Sequence, residues 1–147
     1  MPMFDVAHKE NVSDRIYSEG IEARDSGASI IGVYCAFTPV EVIAAAGGIP
    51  VALCSGSNAV IPAAEAHLPR NLCPLIKSSY GHVLTHTCPY TEEVDLIFAD
   101  VTCDGKKKMF ELLSRVKDVR RLYLPQSYDA PQDHDYWLAQ VRQLAEA

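Results

Sequence analysis

Asp95-Leu96-Ile97-Phe98-Ala99-Asp100-Val101-Thr102-Cys103-Asp104-Gly105-Lys106-Lys107-Lys108-Met109 is the stretch that decides how this chain folds. Residues 95–101 form an apolar run of strand length, and residues 105–116 carry Met109, Leu112, Leu113 and Val116 at helical spacing. A strand that passes through a short turn into a helix is the repeating unit of a parallel sheet covered by helices.

Working outward, the same alternation recurs. Upstream, residues 30–34 and 49–53 read as strands, and residues 121–124 read as a fourth one downstream. Helices are expected over residues 59–67, over residues 74–80 with Gly81 as the stop, and over residues 133–145 with Trp137, Leu138 and Val141 on one face. Thr38-Pro39-Val40-Glu41 has the order of a capping box, with threonine at the cap, proline at the first helical position and glutamate three residues after the cap. That helix runs to Ala46 and ends at Gly47-Gly48. Residues 12–28 are polar with scattered Ile16, Ile21 and Ala23 and end in Ser26-Gly27, as in an exposed or docking helix. The expectation is a Rossmann-like, three-layer α/β domain with a four-stranded parallel sheet joined by right-handed crossovers.

At 147 residues and 48% hydrophobic content, the chain is expected to form one domain, 1–147, with its own core. A net charge of -6 argues against a nucleic-acid partner, because such binders present a basic face. No run approaches the roughly 18 apolar residues that a membrane span needs, and Met1-Pro2-Met3-Phe4-Asp5 lacks the positive region followed by an apolar stretch expected of a secretion signal. The expected setting is cytoplasmic. An odd number of cysteines, five, then points away from a disulfide framework and toward buried thiols, a metal site or a reactive thiol.

Those cysteines lie where chemistry is expected. Cys35, Cys54 and Cys103 fall at or just beyond the carboxyl ends of candidate strands, the edge where open α/β sheets bind ligands. Cys73 and Cys88, each followed by proline, sit in the long connection between the second and third strands and can reach the same edge. For Cys35 and Cys54 the plain reading as small buried hydrophobes stands beside a ligand role. Cys73 and Cys103 stand at helix starts, where free backbone N–H groups and the helix dipole favour thiolate. His82, His86 and Cys88 together would make a zinc set, although a solvated loop explains the histidines as well. Lys106-Lys107-Lys108 at a helix start reads either as a solvated face or as a phosphate clamp, and Glu41 either as a cap partner or as an acid near the edge. Glycine-rich loops of the nucleotide-binding kinds are absent, which argues against ATP hydrolysis or NAD binding by this chain.

Two segments resemble a known family. Leu68-Pro69-Arg70-Asn71-Leu72-Cys73-Pro74-Leu75-Ile76-Lys77-Ser78-Ser79 and Thr102-Cys103-Asp104-Gly105-Lys106-Lys107-Lys108-Met109 are similar to signature segments of the 2-hydroxyacyl-CoA dehydratase and benzoyl-CoA reductase family, which includes the double-cubane cluster proteins. Pro39-Val40-Glu41, Ala46-Gly47 and Leu124-Pro125-Gln126 extend the likeness from about Gly32 to Trp137. The resemblance implies a [4Fe-4S] or double-cubane cluster, with Cys73 and Cys103 as ligands and Cys35, Cys54 and Cys88 as additional candidates. It further implies an ATP-hydrolysing activator as electron donor, an acyl-CoA or small-molecule substrate, and a second lobe or partner subunit in an oligomer; with such a substrate, the anion-binding reading of the helix start makes Lys106 and Lys107 candidates for CoA phosphates. The chain would then be the N-terminal lobe of a dehydratase-like subunit. The rival reading is a stand-alone, cluster-free interaction module derived from that lobe.

Overall fold

The four apolar runs pair as one parallel sheet in the computed structural model, which describes residues 12–54 and 56–147. The order across the sheet is β2 (Ile49–Ala52), β1 (Ile30–Tyr34), β3 (Leu96–Val101) and β4 (Val119–Tyr123). In register, Gly32 of β1 lies between Val51 of β2 and Ile97 of β3. Residues 1–5, read above for a leader, lie outside the described residues.

The period-two alternation of the strands divides the core into two layers. Ile30, Tyr34, Ile97 and Ala99 face α4 (Pro74–Leu84) and α6 (Asp104–Leu113), where Ile76, Tyr80, Met109 and Phe110 complete the packing. Val33, Phe98 and Leu122 point the other way and meet Ile43 of α2 (Val40–Ala45) and Leu144 of α7 (Pro131–Ala145). Helices therefore cover both faces, and strands buried on both sides read as unbroken apolar runs. Each such side chain contributes about 1.5–3 kcal/mol when fully buried. The helix α1 (Val12–Asp25) docks through Ile21 against the first layer, and its Arg24 pairs with Glu93 of α5 (Pro89–Glu93).

Several local expectations change. The helix at Pro74 does not stop at Gly81 but continues to Leu84. A Cβ on Gly81 would lie 2.3 Å from the carbonyl oxygen of Val60, so this glycine lets α4 lie flush against the 3-10 turn Asn58–Val60. The capping box at Thr38 does not form either: Pro39 occupies the cap position with no side-chain bond, Thr38 is turned inward, and Glu41 is exposed in the first turn. The expected helix over residues 59–67 is the 3-10 turn followed by α3 (Ile61–Ala64), and α5, led by Cys88, was not anticipated. α6 ends at Leu113, leaving Val116 59% exposed, and α7 begins at Pro131.

Candidate functional site

A parallel sheet puts all strand carboxyl ends on one edge, and three cysteines meet that edge. Cys35 follows β1 directly, Cys54 lies just beyond β2, and Cys103 lies just beyond β3 as the cap of α6. Cys73 caps α4. The two helix starts abut, because a Cβ on Gly105 would lie 2.8 Å from Ile76 Cδ1 of α4 and 2.9 Å from Leu72 Cδ1 just before Cys73. Cys73 and Cys103 are both exposed, and all five cysteines are free thiols.

Cys103 Sγ accepts a hydrogen bond from the backbone N–H of Lys106 at 3.5 Å, in place of the usual oxygen at a helix cap. The Lys106 side chain turns back toward the sheet. Its ammonium contacts Cys35 Sγ, Thr102 Oγ1 at 2.7 Å and Asp100 Oδ1 at 3.3 Å. Asp100 is fully buried, and its Oδ2 accepts the Phe37 backbone N–H at 2.9 Å. Cys35 is held in the left-handed region at φ 72°, uncommon for a residue other than glycine. Burial pushes the Cys35 thiol up; the Lys106 hydrogen bond opposes this without cancelling it. Burial works to lower the pKa of Lys106, but its contacts with Cys35 and Asp100 prevail and raise it, so the ammonium stays charged.

A second lysine supports the other helix start. Lys77, four residues past Cys73 and 5% exposed, donates to Glu65 Oε1 and to the Arg70 carbonyl, both at 2.7 Å, and so ties down the loop leading to Cys73. No side-chain bond caps α4 at Cys73 itself.

Cys54 and Cys88 share a different setting, a cleft of about 520 Å³ along β2 that also has His82, Thr87 and Tyr90 in its walls. Burial raises the pKa of the Tyr34 phenol, with the Cys54 and Cys88 sulfurs adding to the effect, and both Tyr34 Oη and His82 Nε2 are buried without a hydrogen-bond partner. His82 Nδ1 is engaged by Thr87 Oγ1 at 2.7 Å, while the exposed His86 turns to Glu92 at 3.1 Å. The zinc set is therefore not assembled: among the described residues no three His, Cys, Asp or Glu side chains come together to hold a metal ion.

Beside Cys103, a cleft of about 840 Å³ lies at the carboxyl ends of β3 and β4 and includes Lys107, Tyr123 and Tyr136. A neighbouring cleft of about 640 Å³ is walled by Phe37, Val40, Leu124, Tyr128 and Trp137, with the buried, unpartnered Thr38 hydroxyl at its base. Of the two lysines expected to face phosphate, Lys107 borders open space, whereas Lys106 is committed to the interior. The chemistry of the donors fits an iron–sulfur group in part. Exposed thiols at helix starts suit iron, but a cubane needs more of them than the abutting starts of α4 and α6 contribute. Sequence reasoning missed Asp100 and Lys77; the one available signal was a carboxylate inside the apolar run of β3.

Fold and edge together define a class, an α/β domain that gathers free thiols at the carboxyl rim of a parallel sheet. The chain belongs to the 2-hydroxyglutaryl-CoA dehydratase D-component family, whose pattern matches residues 35–147. It is also 44% identical over 124 residues to a protein of Escherichia coli (strain K12) named "Putative dehydratase subunit YjiM", an alignment covering 84% of this chain and 32% of that relative. The chain thus spans about a third of the relative's length. Among the described residues no helix is long and apolar enough to cross a membrane.

Proposed function

We propose that this chain supplies the thiol-bearing lobe of a 2-hydroxyacyl-CoA dehydratase-like or double-cubane reductase-like enzyme. Cys73 and Cys103 hold iron of a [4Fe-4S] or double-cubane cluster, and Cys35, Cys54 and Cys88 are further candidate ligands. The observation that supports this most is the abutment of two cysteine-led helix starts at the rim of the sheet. When bound, such a group supplies low-potential electrons and Lewis-acidic iron for activating an acyl-CoA thioester or a small substrate. The chain's own part is to orient the thiols, exclude water with the packed bases of α4 and α6, and offer the Lys107-bordered cleft to the substrate's anionic end. A second lobe or partner subunit completes the ligand set, and an ATP-dependent activator delivers the electron. The relative's name as a subunit and its greater length agree with such partners. Free thiols throughout suit the reducing cytoplasm.

A second reading, a cluster-free interaction module, draws on the absence of a complete three-donor group among the described residues and on the exposed Phe37, Val40 and Tyr128. Iron and sulfide analysis after anaerobic preparation separates the two. The enzyme reading expects bound iron, its loss in Cys73→Ser and in Cys103→Ser, and its loss in Cys54→Ser only for a double cubane. A wild-type chain that takes up no iron even with its partner lobe present establishes the module.

A further inference from the structure

The lysine run at the start of α6 was expected to face outward, yet its first member faces in. Lys106 has a side chain only 16% exposed, and its counter-anion Asp100 is wholly buried. Four attachments converge on this one residue: the backbone N–H on Cys103 Sγ, and the ammonium on Cys35 Sγ, Asp100 Oδ1 and Thr102 Oγ1. Asp100 in turn fixes the loop beyond β1 through the Phe37 N–H, two residues past a cysteine in left-handed backbone. A left-handed non-glycine residue persists when its surroundings over-determine it, and these bonds provide that determination.

We infer that Lys106, anchored by Asp100, is a positioning residue that locks the Cys35 loop against the start of α6 and keeps a permanent positive charge beside the Cys35 sulfur, while its backbone N–H holds the Cys103 sulfur. The inference rests on the cluster-binding reading and deepens it. A fixed cation beside cluster sulfurs favours the more negative, reduced state, in the same way as hydrogen bonds to those sulfurs. Phosphate binding is left to Lys107, which borders the open cleft.

The test uses the full chain and three variants, with two readouts. Lys106→Met removes the charge and all three ammonium contacts; Lys106→Arg keeps the charge; Lys106→Gln keeps a donor for Asp100 and serves if the methionine variant is too unstable to measure. The first readout is amide hydrogen exchange of the peptide containing Phe37, in protein without iron. Exchange about tenfold faster is expected in Lys106→Met, the equivalent of losing one charge-assisted hydrogen bond, with near-wild-type protection in Lys106→Arg. The second is the midpoint potential after anaerobic loading with iron and sulfide alongside the partner lobe. It should move to lower potential in Lys106→Met or Lys106→Gln and return in Lys106→Arg. Unchanged exchange at Phe37, or iron-loaded variants with an unmoved potential, overturns the inference. A wild-type chain that binds no iron instead overturns the cluster reading, while exchange still decides whether Lys106 positions the loop.

Discussion

The starts of α4 and α6 are built on the same local plan and secured in opposite ways. Each begins with an exposed cysteine at the cap, and each has a lysine in the first turn or just beyond that turns inward. At α4, Lys77 ties its own upstream connection, Glu65 and the Arg70 carbonyl, and the Cys73 sulfur caps nothing. At α6, Lys106 reaches across the sheet to Asp100 and to Cys35 beyond β1, and the Cys103 sulfur receives the helix's own N–H. One cysteine is thus held through a local loop and the other through the core, so disturbance at the second should reach further.

That contrast is broken most directly by removing the carboxylate behind each lysine. Asp100→Ala leaves Lys106 and the Phe37 N–H without their buried acceptor and should cost about 4 kcal/mol. Glu65→Ala, at a side chain 24% exposed, should cost about 2 kcal/mol, since the Arg70 carbonyl remains for Lys77. Urea unfolding of both variants measures the gap, and equal losses would refute the asymmetry. Next come the glycines that let each helix approach its neighbour. In Gly81→Ala the new methyl meets the Val60 backbone, which cannot step aside, and the expected loss is about 3 kcal/mol. In Gly105→Ala it meets only the flexible ends of Ile76 and Leu72, so the net change should stay within about 1 kcal/mol.

A pH dependence separates the two sides as well. Tyr34 packs on Phe110 of α6 with ring centroids 5.5 Å apart, whereas Tyr80 of α4 bonds His67 Nδ1 at 3.0 Å. Burial raises both phenol pKa values, Tyr34 much further and with the Cys54 and Cys88 sulfurs adding, while Arg115 opposes the shift at Tyr80. A phenol whose folded pKa is raised stabilises the fold fully below the unfolded value near 10, and that contribution is lost as pH rises beyond it. Above that point stability should fall by up to about 1.4 kcal/mol per pH unit for Tyr34. Tyr34→Phe should flatten the alkaline limb of the stability curve more than Tyr80→Phe does; the reverse order would place the tighter burial on the α4 side.

Much of this arrangement is legible from residues alone. Met109 and Leu113 mark the buried face of α6, and the apolar runs in β1 and β3 announce a sheet covered on both sides. Once the strands are parallel, the positions of Cys35, Cys54 and Cys103 on one rim follow. What stayed hidden depends on partners far away in sequence. Gly81 has the local look of a helix stop, and only the approach of Val60 shows that it is a contact point. Thr38 has the look of a cap, yet its hydroxyl is drawn under the wall of a cleft. Lys106 is the first of three identical letters, and nothing in the run says which of them a buried carboxylate will claim.

Pro50 has a consequence beyond the chain itself. β2 lies at the border of the sheet, and Ile49 and Leu53 direct their N–H groups to Ser29 and Val33 on the β1 side. By the alternation of a strand, position 50 between them turns its nitrogen outward, and proline has no hydrogen to offer there. The opposite border, β4, carries the exposed Arg120 and Arg121. A strand from another molecule would find a missing rung on one flank and two exposed arginines, one of them paired with Asp118, on the other, so copies of this chain are poor templates for fibrous stacking.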